Sequence, residues 1–162
     1  MTRREAREAV FGLLFETEFR ADEDPKEIYR SSTEHREIPR DTYVYRVYFG
    51  VTEKREELDA QIEKHAKGWT IGRMSRVSRT VLRIATYEMM FMDGKVPMRV
   101  SINEAIELSK KFDSEKARGF INGILNAIKN DLTPAEEPSA PAENEPSDPN
   151  ASNVPSESPK ED

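Results

Sequence analysis

Apolar residues recur at spacings of three and four through most of the first 132 positions, the period of one helical face. Ala6, Val10, Leu13 and Leu14 make the first such stripe, and Thr2 with Glu5 three residues on supplies a capping box at its start. Asp24-Pro25 with Glu27 behind it predicts a short second helix, because Asp caps and Pro suits the first helical position. Beyond Ile38-Pro39, the positions Val44, Val47, Tyr48, Val51, Leu58 and Ile62 predict one long helix over residues 41–66, ended by Gly68. Trp69 and Ile71 fall in a connector closed by Gly72. A helix over residues 75–92 carries Val77, Val81, Ile84, Ala85 and Met92 on one stripe, and Asp93-Gly94 stops it. Ser101 and Glu104 read as a second capping box for a helix through Phe112. Asp113-Ser114 then turns the chain into a last helix with Ala117, Ile121, Ile124 and Ile128 inward, ending near Asn130. The expectation is an all-α fold of about seven helices, either one bundle or two packed sub-bundles.

From Thr133 to Asp162 the pattern stops. This stretch holds seven of the ten prolines, eight acids, the single base Lys160, and no aromatic residue or glycine. Such a segment buries too little apolar surface to offset its ordering entropy, so residues 133–162 read as an acidic, disordered tail on a domain of residues 1–132. The net charge of −6 belongs to that tail: residues 1–132 carry 24 bases and 23 acids. With no apolar run of membrane-spanning length and no secretion-signal core at its start, the chain reads as cytoplasmic, with no membrane partner. The lack of cysteine excludes disulfides, thiolate zinc sites and a cysteine nucleophile. His35 and His65 have no second histidine or carboxylate pair at ligand spacing, which leaves metal and imidazole chemistry without a basis.

The candidate chemistry is that of binding. On the first helix Phe11, Phe15 and Phe19 form an i, i+4, i+8 row nearly opposite the apolar stripe. Such a row is either sandwiched between helical layers or an aromatic strip awaiting a protein partner. Arg3, Arg4 and Arg7 share a surface of that helix's first turns, where cations oppose the macrodipole, and a phosphate target would explain them. Arg73, Arg76, Arg79 and Arg83 flank the stripe of residues 75–92. Arg83 reads as a solvated flank pairing with acids of neighbouring helices, and Arg73 and Arg76 as partner-surface candidates. Glu88 projects into the middle of the apolar stripe and must be paired, with an arginine or with helix-end amides. Gly119 and Gly123 lie inside the last helix, where each costs about 1 kcal/mol against alanine, and close approach of another helix or of a nucleic-acid backbone would compensate. Around them Lys110, Lys111, Lys116 and Arg118 interleave with Phe112 and Phe120, a mixture suited to single-stranded RNA.

The runs Val81-Leu82-Arg83-Ile84-Ala85-Thr86-Tyr87-Glu88, Val96-Pro97, Val100-Ser101-Ile102-Asn103-Glu104-Ala105-Ile106-Glu107-Leu108 and Phe120-Ile121-Asn122-Gly123-Ile124-Leu125, with the start Arg4-Glu5-Ala6-Arg7-Glu8-Ala9, resemble the NusB family of bacterial transcription antitermination factors. The resemblance covers nearly all of residues 2–131 in order. It implies two packed three-helix sub-bundles and a protein that, with NusE, a small-subunit ribosomal protein, binds boxA-type single-stranded leader RNA. The complex helps RNA polymerase pass terminators, notably in ribosomal RNA operons. Neither catalysis nor a cofactor is implied. Carried over by position, Arg3, Arg4 and Arg7 match the RNA-binding arginine motif, which Glu5 interrupts. Lys111, Phe112, Lys116 and Phe120 match the RNA-facing end of the later helices, with Arg118 adding charge beside them. Phe15 matches the aromatic presented to NusE, and Arg73, Arg76 and Arg79 fall beside that contact. The alternatives are an accessory domain of an RNA methyltransferase, for which no glycine-rich cofactor segment is present, and a protein-binding helical module, with a homodimer through the phenylalanine row. The acidic tail has no counterpart in the resemblance, and competition with RNA for the basic surfaces is its sharper reading.

Overall fold

A computed structural model of the chain describes residues 1–35, 38–92 and 94–133, and every regular element among them is helical. The helices are α1 (Arg3–Phe19), α2 (Pro25–His35), α3 (Thr42–Glu53), α4 (Arg55–Lys64), α5 (Arg76–Phe91), α6 (Met98–Phe112) and α7 (Glu115–Leu132), with a 3₁₀ turn at Ile71–Arg73 before α5. The predicted acidic tail, beyond Thr133, and Asp93 of the predicted stop signal lie outside the described residues.

Two groups of helices account for the packing. In the first, α1 lies against α2 and α3; in the second, α5, α6 and α7 pack on one another. Helices α1 and α3 both rest on α5, which joins the groups, and α4 lies across α5 and α7. The stripes read from the sequence meet at these contacts: Val10, Val44, Val47, Leu58, Ile62, Val81, Leu82, Ile121, Leu125 and Ile128 are fully buried. Each such side chain contributes about 1.5–3 kcal/mol of burial. The capping box forms as expected, with the Glu5 amide donating to Thr2 Oγ1 at 3.0 Å and the Thr2 amide to Glu5 Oε1 at 2.8 Å. Ser75 caps α5 by accepting from the Ser78 amide at 3.0 Å.

Two predicted boundaries move. The long helix over 41–66 is divided at Lys54, which leaves helical geometry at φ −100°, ψ 16° and closes α3 while opening α4. Residues 53–57 are all charged and give the chain no apolar anchor, so it bends to lay α3 on α1 and α4 on α5 and α7. The capping box expected at Ser101 and Glu104 does not form. Helix α6 starts one turn earlier, behind Pro97, and both side chains are free for other partners. Close helix approach also falls elsewhere than expected. No atom stands within 4 Å of a Cβ built on Gly119 or Gly123, whereas one built on Gly50 of α3 would overlap the Tyr87 ring of α5.

Candidate nucleic-acid and partner interface

Helix α1 carries the first cluster, and its two arginine forks behave differently. Arg4 donates from Nε and Nη2 to the two oxygens of Glu104 on α6, at 3.0 and 2.9 Å, with its side chain 59% exposed. Arg7, expected beside it at the RNA surface, is instead buried: its side chain is 5% exposed and donates to Glu88 on α5 at 2.8 and 3.0 Å. The reason lies at the 100° turn per residue, which carries position 7 toward the stripe of Ala6 and Val10. Glu88 also accepts from Ser101 Oγ at 2.6 Å and from the Tyr43 hydroxyl, so one carboxylate ties α1, α3, α5 and α6 together. Burial, reinforced by that carboxylate, pushes the Tyr43 phenol far above its ordinary value and keeps it a donor. Burial works against the Arg7 charge, but the hydrogen bonds and charge of Glu88 outweigh it. The arginine partner expected for Glu88 is therefore Arg7.

Around Arg4, two exposed lysines and the half-buried Arg118 sit in pairs. Lys111 reaches Glu8 at 2.9 Å, Lys110 reaches Glu107 at 3.4 Å, and Arg118 reaches Glu115 at 2.8 Å. Hydrogen bonding from Arg4 holds the Glu104 carboxyl below its usual range. Exposed pairs of this kind contribute little stability, and a phosphate accepts the same fork as a carboxylate, so these cations can be handed to an anionic ligand. The Arg3 guanidinium lies 4.6 Å over the Tyr43 ring. Lys116 is exposed and makes no ion pair among the described residues.

The phenylalanine row is graded rather than wholly sandwiched or wholly free. Phe112, at the end of α6 and 41% exposed, stacks on Phe11 at 4.5 Å; Phe11 is buried and stacks on Phe15 at 5.6 Å. Phe15 is half-buried and meets Phe19 edge-on at 5.3 Å, and Phe19 is 62% exposed. Arg76 lies over the Phe19 ring at 4.0 Å. Beside it Glu18 gathers Arg76, Arg79 and Arg83 at 2.7–2.9 Å, and Arg83 also forks onto Asp59 at 2.8 and 3.0 Å. Arg83 thus pairs with neighbouring acids as expected, but it is buried rather than solvated. Arg79 turns inward to Glu18 and the Met74 carbonyl, leaving Arg76 and Arg73 more open. Ser75 and Ser78 donate to Asp113 at 3.3 and 3.1 Å, which holds the start of α5 against the corner between α6 and α7. The surface around Phe112 therefore adjoins the one around Phe19 through a continuous row of rings.

Three residues of these surfaces were not singled out as partners in the sequence. Glu104 looked like a cap, and nothing in the local pattern marked Glu18; only the tertiary pairing gives them roles. Trp69, half exposed in the connector, meets Phe120 edge-on at 5.8 Å. Its signal was an isolated large ring between Gly68 and Gly72. Among the described residues no group of histidines and carboxylates is placed to hold a metal ion, and no helix is long and apolar enough to cross a membrane.

Paired surface cations and rings offered at a surface, on an all-α scaffold, make a face suited to binding. The NusB family matches residues 4–130, and the chain belongs to that family. It is 39% identical over 132 residues to the transcription antitermination protein NusB of Bacillus licheniformis, covering 82% of this chain and 99% of that one. The solved NusB of T. maritima has a TM-score of 0.71 at 37% identity, over 80% of this chain and 92% of that one. A crystal structure of antitermination factors NusB and NusE in complex with double-stranded RNA aligns with a TM-score of 0.70 at 32% identity, over 80% of this chain and 96% of the other.

Proposed function

We propose that this chain is a transcription antitermination factor that binds boxA-type single-stranded leader RNA together with NusE and helps RNA polymerase read through terminators, notably in ribosomal RNA operons. It acts in the cytoplasm, by binding and without catalysis or a cofactor. Residues 1–132 do this work, and residues 133–162 are an acidic appendage to it. The observation that carries the reading is the face formed by α1, α6 and the start of α7, where Arg4 and Lys111 sit in exposed, exchangeable pairs, with the half-buried Arg118 paired to an exposed Glu115, beside the open ring of Phe112. Arg3, Arg4, Lys111, Lys116 and Arg118 hold phosphates, and Phe112 and Phe120 stack bases. Arg7 acts from beneath by fixing the helix that presents Arg3 and Arg4.

Single strands are favoured over duplex because a stacked, paired base cannot lie on a protein ring. Phe15, Phe19, Arg73 and Arg76 supply the NusE contact, an aromatic and cationic surface adjoining the RNA face. The test is fluorescence anisotropy of a labelled boxA-type RNA, a scrambled strand and a duplex of the same sequence, with and without NusE, across a salt series. The expected result is preference for the boxA strand that sharpens when NusE is present. Equal, weak binding of all three with the partner present would overturn the reading.

A further inference from the structure

Arg4 and Arg118 of the RNA face lie on one flank of α7, and an aromatic pair, Trp69 and Phe120, lies on the other. At 100° per residue, Arg118 and Asn122 stand on the flank toward α6, where they line an open groove with Arg4, Asn103 and Glu107. Lys116 and Phe120, one turn apart, stand on the opposite flank, and Phe120 meets Trp69 there. The outer arc between the flanks carries Gly119 and Gly123, with open space where their side chains would be, between Glu115 at the start of the helix and Asn126 and Asn130 further along. The two glycines give a strand leaving the Arg4 groove a low place to cross α7 toward Trp69.

What waits there has the chemistry of a base platform. Trp69 is 48% exposed, its amide is tied to the Ala66 carbonyl at 3.1 Å, and Phe120 braces the ring edge-on. The Arg73 guanidinium lies 5.9 Å from the indole centroid. Arg73 and Lys116 make no ion pair among the described residues, unlike Arg4, Lys110, Lys111 and Arg118. An exposed guanidinium beside a braced indole, with Lys116 one turn from the bracing ring, suits an unpaired nucleobase with its phosphates, since every base has a face to stack.

We propose that Trp69, with Phe120 and Arg73, is a stacking subsite for single-stranded RNA, taking nucleotides that continue across α7 from the strand held at Arg4 and Lys111. The inference rests on the RNA-binding reading above and moves Arg73 from the partner surface to the RNA path.

Trp69 is the only tryptophan of the chain, so its emission reports on the subsite directly. The full chain is titrated with a boxA-type single strand, with the same strand lengthened by a few unpaired nucleotides at either end, and with NusE alone. The lengthened strand is expected to quench Trp69 and to bind about five- to tenfold tighter than the short one. Trp69→Ala removes that advantage without weakening the short strand, Trp69→Phe keeps most of it, and Arg73→Gln lowers the salt slope for the lengthened strand alone. Equal affinities of wild type and Trp69→Ala for the lengthened strand, or quenching by NusE and not by RNA, would overturn the subsite while leaving the RNA-binding reading standing. Failure of both strands to bind the wild type would instead remove that reading, and the subsite with it.

Discussion

Arg4 and Arg7 lie one turn apart on the same helix, each forks onto a glutamate, and their positions in the sequence look alike; burial separates them. The Arg7 pair is shut inside four helices and also takes hydrogen bonds from Tyr43 and Ser101. The Arg4 pair is open to water on the arginine side. A buried pair is a structural joint, because removing either partner strands the other charge away from solvent. An open pair holds its charge ready for exchange. The arginine motif of α1 is thus divided between holding the fold and meeting a ligand.

Breaking the inner pair should have the largest effect on stability. Glu88→Ala leaves Arg7 buried without its counter-charge and two hydroxyls without an acceptor, and a loss of about 3–5 kcal/mol is expected from urea unfolding. Next in size is Gly50→Ala, which forces a methyl group into the Tyr87 ring where α3 crosses α5. Its expected loss, about 1–3 kcal/mol in the same experiment, separates a packing joint from an ionic one.

A smaller effect comes from the partner face and depends on pH. Burial raises the Glu18 carboxyl, but hydrogen bonds and charge from Arg79 and Arg83 outweigh it and hold the group below its ordinary 4.5. The folded state therefore binds this proton less tightly than the unfolded chain does. The resulting stabilisation is full above about pH 4.5 and disappears as pH falls through the lowered value. Melting temperature measured across the acid range should drop less steeply in Glu18→Gln than in wild type, and parallel acid limbs would show that the arginines do not act through this carboxylate. Phe19→Ser, on the exposed end of the ring row, should leave the unfolding midpoint nearly unchanged while weakening NusE capture in a pull-down.

The sequence was a good guide wherever one local rule decided the outcome. The cap at Thr2, the inward stripes and the need for a partner at Glu88 all follow from neighbours within a turn or from the cost of an unpaired charge. It was a poorer guide where two elements compete for one segment. The break at Lys54 comes from α3 and α4 packing on different neighbours, although the apolar spacing runs through it unbroken. Ser101 and Glu104 had cap spacing, yet Pro97 starts the helix a turn earlier, and their actual partners lie 13 and 100 residues away in sequence. The candidate cations were all visible as residues. Which were buried was not, because the 100° step carries Arg7 toward the stripe, but its charge is held inside only by Glu88, which α5 brings to it together with Tyr43 of α3 and Ser101 of α6.

The division of the arginines is tested most directly by salt dependence. RNA affinity is measured from low to moderate salt for wild type, for Arg4→Ala, and for the paired replacement Arg7→Gln with Glu88→Gln, which keeps hydrogen-bonding groups in the core while removing both charges. Each variant is first shown to melt cooperatively. Arg4→Ala should reduce the log–log slope by about 0.7, the contribution of one phosphate on a single strand, and the paired replacement should leave the slope at the wild-type value. A slope lowered by the paired replacement and untouched by Arg4→Ala would contradict the account, placing Arg7 on the RNA and Arg4 off it.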